Sequence, residues 1–267
     1  MIGDDVSRRG GRRIAVVIEY DGTAYRGSQY QENGPSIQSE LEAAINNLTA
    51  ETVRASFAGR TDAGVHALGQ VAAFDTESTL PLDRFESGLN HFLPEDIVVR
   101  AAKEAPGFDP RRHAVGRLYR YRIDNRPPRP VIERHRVWHV AKPLNIEAMR
   151  SAAGRLVGEH DFAAFAGPYE HSTIRTLRRC EVLLGQGGEV AVEMEALAFL
   201  PHQVRRTVGP LVEVGLGRMT EEELAALLEG AQPSSAQPAA PACGLYLVEV
   251  RYDGFRFGPE SRNETSE

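Results

Sequence analysis

The sequence predicts an α/β (α+β) chain in two halves, and three observations carry that expectation. Short runs rich in β-branched residues alternate with segments whose apolar residues recur at helical spacing. The alternation is interrupted once, at "FDPRRHAVG", where a proline and a glycine break the pattern and place a boundary near residue 108. The 267 residues are 42% hydrophobic and 25% charged, an ordinary globular composition with enough length for a sizeable core. The expected division is an N-terminal half, residues 1–107, and a C-terminal half, residues 108–267.

The elements follow in order. "RRIAVVIEYD" (12–21) is β-branched and reads as a strand, and "SIQSELEAAINNLT" sets Ile37, Leu41, Ala44, Ile45 and Leu48 on one face of a helix. Strands are expected at about 53–58, 69–75 and 97–103, with a helix near 82–91. Beyond the boundary, "RLYRYRID" alternates Leu118, Arg120 and Arg122 with Tyr119, Tyr121 and Ile123, a strand with one basic face that suits RNA. Asn145 caps a helix running to about Val157, and strands follow at 176–184 and 189–198. Gln203 to Leu216 reads as a helix despite Pro210, and Thr220 with Glu223 forms a capping box for the next. "AQPSSAQPAAPA" (231–242) is a low-complexity loop expected not to pack a core, before a last strand in "GLYLVEVRYD".

Composition excludes several functions. No apolar run is long enough to span a membrane and no secretory signal opens the chain, so a cytoplasmic protein is expected, with no membrane partner. Cys180 and Cys243 stand far apart, which indicates neither a disulfide framework nor a thiolate zinc site. No metal is expected, since His135 and His139 flank "RVW" in a strand and lack a third ligand. Neither GxGxxG after a strand nor GxxxxGK[ST] occurs, so no dinucleotide or nucleoside-triphosphate site is expected. The net charge of −6 disfavours nucleic acid, yet nine arginines stand between Arg111 and Arg136 against only Asp124 and Glu133, and four more sit at 8, 9, 12 and 13. Guanidinium groups grip phosphate oxygens bidentately and stack on bases.

The most informative stretch is "FAGRTDAGVHALGQVAAF" (57–74), where Arg60, Thr61 and Asp62 lie between Gly59 and Gly64, just ahead of a strand. Glycines allow a tight turn and close approach to another molecule. "GRTDAGVHALGQV" closely resembles the signature of the tRNA pseudouridine synthase family, A type. The resemblance runs through "EYDGTAYRGSQYQ" (19–31), "NHFLPEDI", "FDPRRHAVGRLYRYRI", "GEHDFAAF", "FLPHQVRRTVGPLVEVG" and "PACGLYLVEV" in order, nearly the whole chain. It departs at Ser28, where the family usually has tryptophan, and at Arg206, basic after the expected arginine.

That resemblance implies the pseudouridine synthase fold, two α/β halves with mixed, mainly antiparallel sheets joined across a central RNA-binding cleft, and a homodimer. It implies isomerisation of uridine in the tRNA anticodon stem-loop, at positions 38, 39 and 40, without a cofactor. Asp62 would be the catalytic residue, either adding to sugar or base or abstracting a ribose proton. Arg60 would manage the flipped base, and Tyr119 would stack on the uracil and relay its proton. Arg205 would hold Asp62 charged, with Arg206 the alternative on an adjacent helix position, and Leu245 would wall the pocket against the tyrosine ring. His66 reads as structural. The alternatives are the same chemistry at other uridines, an inactive RNA-binding homologue, and a hydrolase, which would need a second carboxylate that the signature loop lacks.

Overall fold

The computed structural model describes residues 11–230 and 232–257, so Arg8 and Arg9 lie outside the described residues. Ten strands among them form one sheet: β1 (Arg12–Tyr20), β2 (Ser56–Phe57), β3 (His66–Thr76), β4 (Ile97–Glu104), β5 (Ala114–Asp124), β6 (Trp138–His139), β7 (Gly158–Asp161), β8 (Ile174–Leu184), β9 (Glu189–Ala196) and β10 (Leu245–Tyr252). The order is β4-β1-β3-β10-β5-β9-β8-β7, with β2 on β3 and β6 on β5. Every pairing is antiparallel except β10 with β3 and β5 with β6. This is the mixed, mainly antiparallel arrangement expected of the pseudouridine synthase fold.

Local chemistry explains the helices. In α1 (Ile37–Thr49) the Ser36 hydroxyl accepts from the Ser39 N–H, and Ile37, Leu41, Ala44 and Ile45 are buried on one face. Helix α2 (Leu82–Phe92) buries Phe85 and Leu89, and packs with α1 and β4. Asn145 caps α3 (Ile146–Gly154), which stops three residues short of Val157 and packs on β8. The chain continues through α4 (Gln203–Gly215) with Pro210 inside it, and the capping box of Thr220 and Glu223 opens α5 (Glu221–Ala226). These three helices pack together.

Two sequence expectations are corrected by partners far along the chain. The strand expected at 53–58 shrinks to Ser56–Phe57, because the Ala55 N–H and the Arg54 guanidinium both turn to the Glu42 carboxylate on α1. The loop at 231–242 does pack: Ala236 and Ala240 are wholly buried, and the Ala236 N–H donates to the Ala164 carbonyl.

Candidate active site

Residues 58–65 connect β2 to β3, and the sheet order places them. Strand β10 lies between β3 and β5, pairing Tyr246 with His66 on one side and Leu247 with Tyr119 on the other. The loop therefore emerges beside the middle of β5 although some sixty residues of chain separate them. Arg117 of β5 holds it there: the buried guanidinium donates from Nε to the Ala58 carbonyl at 3.2 Å and also reaches the Leu197 carbonyl.

The loop is fastened by hydrogen bonds on both sides of Asp62. Thr61 is gripped on both backbone groups by buried Ser28, whose hydroxyl accepts from the Thr61 N–H at 2.8 Å and whose N–H donates to the Thr61 carbonyl at 3.1 Å. The Thr61 hydroxyl meets Tyr20 Oη at 2.8 Å, and Gln70 Nε2 donates to the Gly59 carbonyl at 2.8 Å. Burial pushes the Tyr20 hydroxyl up to about 12. At Gly64 the chain turns with φ +77°, a backbone that favours glycine, and the site of a Cβ there would lie 3.3 Å from Ala242. Ser28, the departure from the family pattern, is thus a lock on the signature loop.

His66 secures the far side of the turn. The Gly22 N–H lies 3.2 Å from His66 Nδ1, Asp21 Oδ1 lies 3.1 Å from the same nitrogen, and Nε2 faces the carbonyls of His135 and Cys243, each at 3.1 Å. The ring stacks on Tyr246, 4.7 Å between centroids, and burial depresses its pKa below the usual histidine value.

Asp62 itself is half-buried, and α4 brings two donors to it. Arg205 Nη1 donates to Oδ2 at 3.2 Å while its Nε holds the Ala240 carbonyl at 2.8 Å. His202 Nδ1 lies 2.8 Å from the same Oδ2. Both contacts fall on one oxygen; Oδ1 accepts no hydrogen bond among the described residues. Arg206 points elsewhere, donating to the Ser234 carbonyl at 2.9 Å, which is why only one of the adjacent arginines reaches the carboxylate.

Tyr119 is buried, edge-on to Phe199 at 5.2 Å, and its hydroxyl has no hydrogen-bond partner among the described residues. A Cβ on Gly59 would lie 3.8 Å from that hydroxyl, so the bare glycine leaves the tyrosine's polar end uncovered. Burial, with Tyr20 and Asp62 nearby, pushes the Tyr119 pKa up and keeps it a phenol. Leu245 is buried and faces Tyr121 in the ladder; Leu247 stands opposite Tyr119, so Leu245 is its diagonal neighbour on the same face. Arg60 is exposed and makes no side-chain hydrogen bond or ion pair among the described residues. The loop, β5 and α4 thus gather Asp62, Arg205 and the environment of Tyr119, and leave Arg60 at the rim.

His202 was not singled out from the sequence. Its backbone is left-handed, φ 61° and ψ 2°, a strained state for a residue with a side chain and one that gathers at functional positions. A Cβ on Gly167 would fall 2.6 Å from the His202 ring, so the absent side chain there makes room for it. The signal in the sequence was its place three residues before Arg205, one helical turn away and on the same side.

The basic face expected of β5 is corrected as well. Arg120 pairs with Glu193 at 2.5 Å and Arg122 with Glu189 at 2.9 Å, so acids of β9 neutralise it. Arg126 pairs with Asp124 and Arg136 with Asp21, at 2.6 and 2.9 Å.

A family model described as tRNA pseudouridine synthase matches residues 16–111 and 152–253, more than half of the chain. Among curated relatives, a Myxococcus xanthus protein named tRNA pseudouridine synthase A is 46% identical over 253 residues, 94% of this chain and 94% of its own. A protein of the same name from Geobacter sulfurreducens is 47% identical over 90% of this chain and its own full length. Another from Roseiflexus castenholzii is 48% identical, covering 90% of this chain and 91% of its own.

Proposed function

The chain belongs to the tRNA pseudouridine synthase family and is an isomerase that makes pseudouridine in tRNA; from that premise we propose that Asp62 catalyses the reaction, without a cofactor, on uridines 38 to 40 of the anticodon stem-loop. The observation that supports this reading best is the one-sided anchoring of Asp62, Oδ2 held by Arg205 and His202 and Oδ1 left without a partner among the described residues. A carboxylate tied on both oxygens would be a structural ion pair. One tied on a single oxygen is oriented and still able to react.

The chemistry follows from atom balance. The N1–C1′ bond of uridine breaks, uracil turns, a C5–C1′ bond forms, the C5 proton leaves and N1 takes up a proton. The product is an isomer of the substrate, so no net oxidant or reductant is consumed and no cofactor is needed. Asp62 Oδ1 starts the sequence as an ionised carboxylate, at the sugar, the base or a ribose proton. Tyr119, a phenol with a free hydroxyl beneath Gly59, stacks on the flipped uracil and relays the proton from C5. Arg205 and His202 hold Asp62 in place, Leu245 walls the tyrosine side, and exposed Arg60 occupies the space that the flipped base vacates.

In the same proposal the halves 1–107 and 108–267 form the two walls of the RNA cleft, the first bearing Asp62 and the second Tyr119 and Arg205. A cytoplasmic homodimer presents the whole RNA surface.

The test is to map pseudouridine, by carbodiimide adducts that stop reverse transcription, in unmodified tRNA transcripts treated with the purified protein. New stops at 38, 39 and 40 are expected. Stops confined to other positions would move the substrate assignment, and free uracil in the supernatant would indicate hydrolysis instead.

A further inference from the structure

We propose that a cavity beside the 127–135 loop is a subsite for a tRNA nucleotide that neighbours the target uridine, its base stacked on Trp138 and its phosphate held by Arg129 and Arg134. This rests on the reading of tRNA as substrate and assigns residues outside the candidate active site to it.

The cavity has a volume of about 540 Å³, and its walls include Arg129, Val131, Arg134, Trp138, His139 and Cys243. A second hollow of about 260 Å³ shares Cys243 with it and is walled on its other side by Gly64, two residues from Asp62. Cys243 is thus common to the hollow beside the signature loop and the cavity at Trp138. Register gives the separation of Tyr119 and Trp138. Trp138 pairs with Ile123, four residues along β5 from Tyr119 and on the same sheet face, about 13 Å away at the usual rise per residue. An RNA strand with its target base at Tyr119 reaches Trp138 within a few nucleotides.

Charge selects the ligand. Most of the nine arginines between 111 and 136 are engaged by the protein's own groups: Arg120, Arg122, Arg126 and Arg136 by carboxylates, Arg117 by backbone carbonyls. Arg129 and Arg134 have no acidic partner among the described residues, and Arg134 makes a single side-chain hydrogen bond, to the Val131 carbonyl at 2.8 Å. The acid of that loop, Glu133, is drawn to Arg122 at 3.3 Å and does not line the cavity. The sequence "RPPRPV" stiffens the segment that carries these cations, because each proline fixes its own φ. Two unpaired guanidiniums on a stiff loop, facing a ring backed edge-on by Tyr121 at 6.1 Å, suit a phosphate and a base.

Val131 and Ile132, 63% and 82% exposed, stand at the tip of the same loop and give a second copy of the chain something apolar to hold. The unpaired positive charge favours RNA over that occupant, since two copies would bring four arginines together.

Trp138 is the chain's single tryptophan, so its fluorescence reports on this cavity alone. Unmodified tRNA is titrated into the full-length protein, with tritium release from labelled uracil followed in the same samples. Saturable quenching of the emission by tRNA is expected. Trp138→Leu is expected to weaken tRNA binding roughly 5- to 100-fold and Trp138→Phe to restore it within a few-fold, as stacking rather than packing requires. Arg129→Gln with Arg134→Gln should lower the slope of log affinity against log salt by roughly 1.4, two single-strand phosphate contacts, with the protein's thermal midpoint unchanged. Unaltered emission while tRNA binds and is converted would overturn the subsite. So would emission that changes with protein concentration alone, which would assign the cavity to a second copy. Quenching without any tritium release would leave the subsite standing and count against the catalytic reading only.

Discussion

Asp62 and His202 show how much a single side chain decides here. His202 combines a donor to Asp62 with a left-handed backbone, and two substitutions separate these features. His202→Gly relieves the backbone and removes the donor; kcat is expected to fall roughly tenfold, the low end for a hydrogen bond to a charged group, with tRNA KM and thermal midpoint held or improved. His202→Asn keeps a short donor and tolerates the left-handed region, and is expected to recover most of kcat. Equal activity of Gly and wild type would remove His202 from the account. His66 makes a prediction of opposite kind, about stability. Its folded pKa is depressed by burial, so below the ordinary histidine value near 6.5 the unfolded chain takes up a proton that the folded one refuses. Stability is fully present above that value and declines as pH falls from about 7 towards 5. His66→Gln is expected to flatten that slope in thermal melts, whatever it does to the midpoint at pH 7.5.

Helix α4 and the loop before β10 act as one element. Arg205 and Arg206 both hold carbonyls of that loop, and Gly209 lets the two backbones touch: a Cβ there would stand 1.6 Å from the Pro238 carbonyl oxygen. Gly209→Ala is expected to destabilise the protein by roughly 1–3 kcal/mol and to lower turnover further, because displacing the loop moves the Ala240 carbonyl that orients Arg205. Gly154→Ala, where a Cβ meets nothing within 4 Å, is the control and should be neutral in both melts and turnover. None of this was visible in "AQPSSAQPAAPA", whose composition names a loop but not what lies against it. Elements with strong periodicity or capping were legible, α1 through its apolar stripe, α5 through Thr220 and Glu223. Strand β7, "GEHD", was missed because four polar residues carry no alternation, and it owes its place to pairing with β8.

At the scale of the molecule, the decisive feature is β10, which joins β3 to β5 and so brings the signature loop over Tyr119. Sequence periodicity identifies such a strand without its neighbours, so Asp62, Tyr119 and Arg205 could be named from the family pattern but not assembled. Net charge misled in the same way. Nine arginines between 111 and 136 looked like one basic surface, yet acids more than fifty residues further on neutralise its β5 portion, and Arg111, Arg129 and Arg134 are left without an acidic partner among the described residues. The most direct test of the catalytic role of Asp62 is tritium release from tRNA labelled at uracil C5, comparing wild type with Asp62→Ala at equal tRNA occupancy. Steady release by the wild type and none above background by the variant, with tRNA affinity retained, is the expected result; release by Asp62→Ala at a comparable rate would contradict it.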